Sequence, residues 1–183
     1  MAAGEELGLV TIRVWTAARR PLLVAGIFGC AVSLMASGRL SLRLAAPATV
    51  YWSFVPLVEV ASLAAVWRRK RESIRFSRAI DLFFLGHGPW LFWLAGFAAL
   101  WAFVPTVRVF RWTSAGWAWY GSALAVAAWS ASLDYRFFRS VLGRSVACAL
   151  ASLLAQRAIA WVAGLAWFVG GSAWQVTATK LGL

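Results

Sequence analysis

Residues 80–104 read IDLFFLGHGPWLFWLAGFAALWAFV, and the reading of this stretch decides the class of the fold. As a helix it is long enough to cross a hydrocarbon layer of about 30 Å. It is almost wholly apolar, yet Asp81 stands near its start and His87 within its first half. An ionisable residue at the centre of a membrane helix costs roughly 2.5–3.5 kcal/mol on insertion scales, so residues kept there are candidates for function.

Four more apolar stretches flank this one, at 21–38, 44–67, 113–133 and 145–174. The first is entered through Arg19 and Arg20 and reaches roughly 27 Å, just enough to cross. The last is longer than a straight crossing and implies tilt or an interfacial first turn. The expected fold is therefore all-α: a polytopic transmembrane helix bundle of about five spans, with residues 1–183 forming a single integral membrane domain. Composition agrees, since 62% of the residues are hydrophobic and the mean hydropathy is +0.75, where soluble proteins are about half apolar. No polar stretch is long enough to form a second domain, which excludes catalysis by an appended soluble one. An uncleaved first helix is expected, because neither Arg19-Arg20 nor the residues before Cys30 fit a signal-cleavage pattern.

Proline and glycine should interrupt two of the spans. Pro56 removes a backbone donor in mid-helix and is expected to kink the second; Gly86, Gly88 and Pro89 enclose His87 and are expected to break the third.

A net charge of +12 raises the question of nucleic acid. The basic residues, however, gather at the ends of apolar segments rather than along a soluble face, so no nucleic acid is expected. With the N-terminus cytoplasmic, the inside segments hold twelve Lys and Arg (Arg13, Arg19, Arg20, Arg68, Arg69, Lys70, Arg71, Arg75, Arg78, Arg136, Arg139, Arg144) and the outside segments five (Arg39, Arg43, Arg108, Arg111, Lys180). That bias predicts a cytoplasmic N-terminus and an outside C-terminus. Arg68, Arg69, Lys70, Arg71, Arg75 and Arg78 read first as a topology determinant and second as contacts for anionic lipid headgroups on the cytoplasmic side. The strong preference for Arg over Lys points to a bacterial inner membrane.

Residue counts give depth. Glu59 precedes Arg68 by nine residues and His87 follows Arg78 by nine, so each lies roughly 13 Å in from the same side. Arg157 lies roughly 20 Å past Arg144 along a straight helix, and tilt brings it nearer that level. Glu59, His87, Arg157 and Gln156 are therefore expected to form a polar intramembrane cluster. The plainer alternative pairs Glu59 with Arg157 only to fix helix packing and bonds His87 to a carbonyl freed by Pro89. Asp81 reads as a solvated or interfacial carboxylate that suits the start of a helix and the nearby Arg75 and Arg78.

Other features carry less. Cys30 and Cys148 are expected to be buried small hydrophobes, with no disulfide or zinc spacing. Trp15, Trp52, Trp67, Trp112, Trp117 and Trp174 suit interfacial belts, and Trp90, Trp93, Trp101, Trp129, Trp161 and Trp167 suit packing or lipid contact. Small residues recur at Ala123, Ala127 and Ala131 and at Ala147, Ala151 and Ala155, with Ala160 and Gly164 beyond, which predicts close helix packing through those faces.

Catalytic sets are incomplete. Phe83 and His87 match an FxxxH element of intramembrane CAAX-type proteases, but a single histidine leaves that chemistry without its second. Gly170-Gly171-Ser172 lacks both a following glycine and a histidine base. Neither a cofactor nor a metal is expected, since the intramembrane carboxylates counted here are only Glu59 and Asp81. The first functional expectation is thus a non-enzymatic accessory subunit, scaffold or lipid and protein organiser, partnered with other membrane subunits or with copies of itself. The alternative is a small transporter or proton-coupled permease using the Glu59, His87 and Arg157 site; the third is a lipid-modifying enzyme with His87 as base.

Overall fold

A computed structural model describes residues 2–67, 74–103 and 114–181, and among these every regular element is helical. In chain order they are α1 (Ala2–Ser37), α2 (Leu42–Trp52), α3 (Phe54–Val66), α4 (Phe76–Phe83), α5 (Gly88–Phe103), α6 (Ser114–Arg136) and α7 (Val146–Leu181). A 3₁₀ turn over Phe84–His87 joins α4 to α5, and a π turn over Phe137–Val141 follows α6.

Four helical stretches are long and apolar enough to cross a membrane: Val14–Ser37, Leu42–Val66, Phe76–Phe103 and Val146–Gly170. The fifth apolar segment of the sequence forms α6, whose 23 residues reach about 34 Å. Ser122, Ser130, Ser132 and Asp134 dilute its hydropathy, and it is not among the four. Large apolar side chains face outward, with Leu42 88% and Phe92 81% exposed. Contiguous exposed apolar surface on such a scale suits lipid rather than water.

The first apolar segment does not begin at Pro21 as a helix. α1 is continuous from Ala2 with Pro21 inside it, so Arg19 and Arg20 are helical residues packed on the bundle rather than a flanking loop. α1 lies along α2, α5 and α4, α3 lies along α7, and α5 along α6. At the α1–α2 contact Gly29 is essential, because a Cβ there would stand 2.0 Å from Thr49 Oγ1 and 2.6 Å from the Ala45 carbonyl. Small residues that let backbones approach in this way are a main source of helix association in lipid.

Prolines set the breaks. α2 gives way to α3 at Ser53, where the chain meets Pro56: it has no N–H to offer the carbonyl four residues back, that of Trp52. The buried apolar residues gather at one end of the bundle, where α3 ends, α4 begins, α6 ends and α7 begins. Leu63, Ile80, Phe83, Phe84, Phe137, Phe138 and Leu142 form this core. Arg144 is buried against it, donating to the Val66 carbonyl at 2.9 Å and to Ser152 Oγ, with its guanidinium 5.3 Å from the Phe138 ring centre. Counted from sequence as a topological charge, Arg144 is a cap that ties α3 to α7.

Two further expectations fail. Cys30 is exposed rather than buried, on the outer side of α1. Ala147, Ala151 and Ala155 are also exposed, because α7 turns its Ala149, Ser152 and Gln156 face inward instead.

Candidate functional site

The site begins with the turn that carries His87. Pro89 cannot donate to the Leu85 carbonyl as the helical pattern requires, and the Gly88 N–H donates to it instead, which tightens residues 84–87 to 3₁₀ pitch. Glycine is required at 86, where a Cβ would stand 2.9 Å from Asp134 Oδ1 and 3.6 Å from Leu133 Cβ, so only the bare backbone lets the turn seat on α6. The Gly86 carbonyl accepts from Ser130 Oγ at 3.3 Å.

These contacts hold the imidazole between Phe84, stacked at 4.7 Å and 16°, and the edge of Phe83 at 5.2 Å. His87 is only 7% exposed, and neither of its nitrogens has a hydrogen-bond partner. Its Nε2 stands 3.8 Å from Glu59 Oε1.

Glu59, on α3, is buried. Its Oε2 accepts from Gln156 Nε2, which also donates to Ser62 Oγ at 3.0 Å; Ser62 in turn donates to the Glu59 carbonyl at 2.9 Å. Arg157, the next residue on α7, donates from Nη2 to Ser130 Oγ at 3.1 Å and to Asp134 Oδ2, and holds Nη1 3.8 Å from Glu59 Oε1. Glu59, His87, Gln156 and Arg157 are thus brought together from three separate elements.

Asp134 is the member that sequence reasoning missed. It is 1% exposed and is the nearer carboxylate partner of Arg157. A span ended at Leu133 left it in a loop, and the tally of intramembrane carboxylates omitted it. The signal was the spacing Ser130-x-x-x-Asp134, which stacks both oxygen-bearing side chains on one helix face. Two carboxylates therefore share one guanidinium and one imidazole. Among the described residues no three His, Cys, Asp or Glu side chains are grouped as the ligands of a metal ion.

This cluster forms the floor of a cavity of about 460 Å³, bounded by α1, α2, α3, α5 and α7. Aromatic rings dominate the walls: Phe28, Trp52, Phe54, Trp90, Trp93, Trp161 and Phe168, with Glu59, His87 and Arg157 as its ionisable lining. From Arg157 to Phe168 the α7 wall spans about 16 Å. Trp161 is 73% exposed, which puts the rim of the cavity at the outer surface of the bundle.

A second ionic group lies nearer the packed end. Asp81 is fully buried, and Arg19 grips it with a two-pronged contact, Nε at 2.8 Å and Nη2 at 2.9 Å, while Arg20 Nε stands at 2.9 Å and Arg78 Nη1 at 3.2 Å. The solvated reading of Asp81 is overturned because α1 runs past its expected start and lays both arginines against α4. Arg75 and Arg78 are exposed. Arg68, Arg69, Lys70 and Arg71 lie outside the described residues.

Compared with known protein families, with curated proteins and with solved structures, the chain matches none.

Proposed function

We propose that this is an integral membrane protein that takes a membrane-dissolved amphiphile into the aromatic chamber and carries it, as a small proton-coupled permease, on the Glu59, His87 and Arg157 floor. The observation that supports this most is the His87 imidazole, buried at the floor with both nitrogens unbonded. Buried polar groups are almost always satisfied, so an exception that lines a cavity marks a place for a ligand. At about 460 Å³ the chamber also falls in the usual range for small-molecule sites.

A cavity-filling substitution tests this reading. Gly164 lines the chamber, and a Cβ added there meets nothing within 4 Å, so Gly164→Leu is chosen to occupy part of the space. Native mass spectrometry from mild detergent is expected to find a retained apolar adduct on the wild type and none on the variant. A wild type free of adducts, with solute flux through reconstituted vesicles equal in both proteins, would rule the chamber out.

We further assign five crossings, with α6 as the fifth, a cytoplasmic N-terminus and an outside C-terminus. The length of α6 and the twelve-to-five bias of basic residues support this arrangement. In a bacterial inner membrane the packed end then faces the cytoplasm, where Arg75 and Arg78, together with the run from Arg68 to Arg71, meet anionic headgroups.

A second reading, as accessory subunit or scaffold, is favoured by the exposed Ala147, Ala151 and Ala155 face of α7. That face offers close approach to another membrane helix. Crosslinking through a cysteine placed at Ala151 tests it, with a dimer band or a linked partner as the expected product and only monomer as the contrary one.

A further inference from the structure

The charges at the chamber floor do not balance by fixed ions alone. Arg157 is committed on one side, where its Nη2 donates to both Asp134 and Ser130. That leaves the carboxylate of Glu59. One of its oxygens is bonded to Gln156, while the nearest donors to the other, His87 Nε2 and Arg157 Nη1, both stand 3.8 Å away, too far for a hydrogen bond. With two carboxylates against one guanidinium, neutrality requires one more positive charge, either a proton or a cation from outside.

Unsatisfied atoms of both kinds surround the floor: the two His87 nitrogens line the chamber, and two acceptors lie behind it. Asp134 Oδ1 and Gln156 Oε1 are buried acceptors without donors. The walls above are built of tryptophan and phenylalanine rings, and aromatic π systems attract a cation and gain more when water is excluded. Trp52, Trp90, Trp93 and Trp161 all border the space.

We infer that the occupant is a lipophilic organic cation, an ammonium or other onium centre on an apolar body, which competes with a proton for the floor of the chamber. The inference rests on the chamber reading above and specifies its ligand class. A cation settling beside Glu59 supplies the missing charge; a proton on the His87 imidazole or on a carboxylate supplies it otherwise. The charged and titratable groups facing Glu59 are His87 from the 3₁₀ turn and Arg157 from α7, with Asp134 of α6 behind Arg157. An anion here adds a third negative charge to two carboxylates and is disfavoured. Coupling follows directly, because a bound cation and a bound proton exclude one another.

Two ions of the same shape and opposite charge, tetraphenylphosphonium and tetraphenylborate, test the inference by tryptophan quenching and calorimetry on the full chain in nanodiscs. The phosphonium is expected to bind and the borate at least tenfold more weakly. Phosphonium binding should weaken as the pH is lowered, as protons occupy the floor. Glu59→Gln, which can still accept from Gln156, should lower phosphonium affinity at least tenfold and remove most of the pH dependence. If that variant does not fold, Trp161→Ala decides, since the exposed ring can be removed without disturbing the core and should cost the phosphonium severalfold more than the borate. Equal binding of the two ions, or a stronger hold on the borate, would overturn the cation and leave the chamber standing. Binding of neither ion would overturn the chamber as well.

Discussion

Asp134 shows how much a single side chain carries in this molecule. It is the close partner of an arginine that enters a largely apolar interior, and its second oxygen rests against the backbone at Gly86. Breaking a buried ion pair from one side costs about 3–5 kcal/mol, because the remaining charge keeps its desolvation penalty. Asp134→Asn is therefore expected to lose stability on that scale in equilibrium unfolding from detergent, and a loss below about 1 kcal/mol would mean that Glu59 alone compensates Arg157. The sequence made Glu59, His87, Arg157 and Gln156 legible as a set because each interrupts an apolar run at a countable depth. It hid Asp134, which sits one residue past the apparent end of its span, and it misjudged Asp81, whose burial depends on arginines sixty residues away along the chain. Depth along one helix is a local quantity, whereas convergence between helices is not.

At the scale of elements, the breaks matter more than the helices. Four residues at three per turn rotate the chain about 80° further than four at 3.6 per turn. The 3₁₀ turn over Phe84–His87 therefore decides which way the imidazole faces. Pro89→Ala restores the missing donor and should let the turn relax to α-helical pitch, carrying His87 away from Glu59. The expected outcome is a folded protein with phosphonium binding reduced at least fivefold and altered imidazole nitrogen shifts in NMR; unchanged shifts would show that packing against Phe83 and Phe84, rather than Pro89, holds the turn. The glycines and prolines at this break, and Pro56 near the other, were visible in the sequence because their backbone constraints are intrinsic. The pitch that results, and the π turn after α6, depend on tertiary packing and were not.

For the whole molecule, topology is a question of parity. Four crossings put both termini on one side of the membrane and five put them on opposite sides. Reporter fusions at the two ends are expected to report opposite compartments, the N-terminal one cytoplasmic, and a shared compartment would remove α6 from the count of crossings. Membrane character was readable from composition alone, since no arrangement in water covers so much apolar surface. The uneven distribution of the core was not readable, because it arises from how four helix ends meet at one end.

That unevenness has a mechanical side. A bundle filled by Leu63, Phe83, Phe138 and Leu142 at one end and holding a hollow beyond them has unequal packing along its length. If the proposed occupant enters there, its grip is expected to depend on bilayer thickness, since the loosely filled part of the bundle is the part that can adapt to hydrophobic mismatch, and equal phosphonium affinity in nanodiscs of thin and thick lipid would count against this.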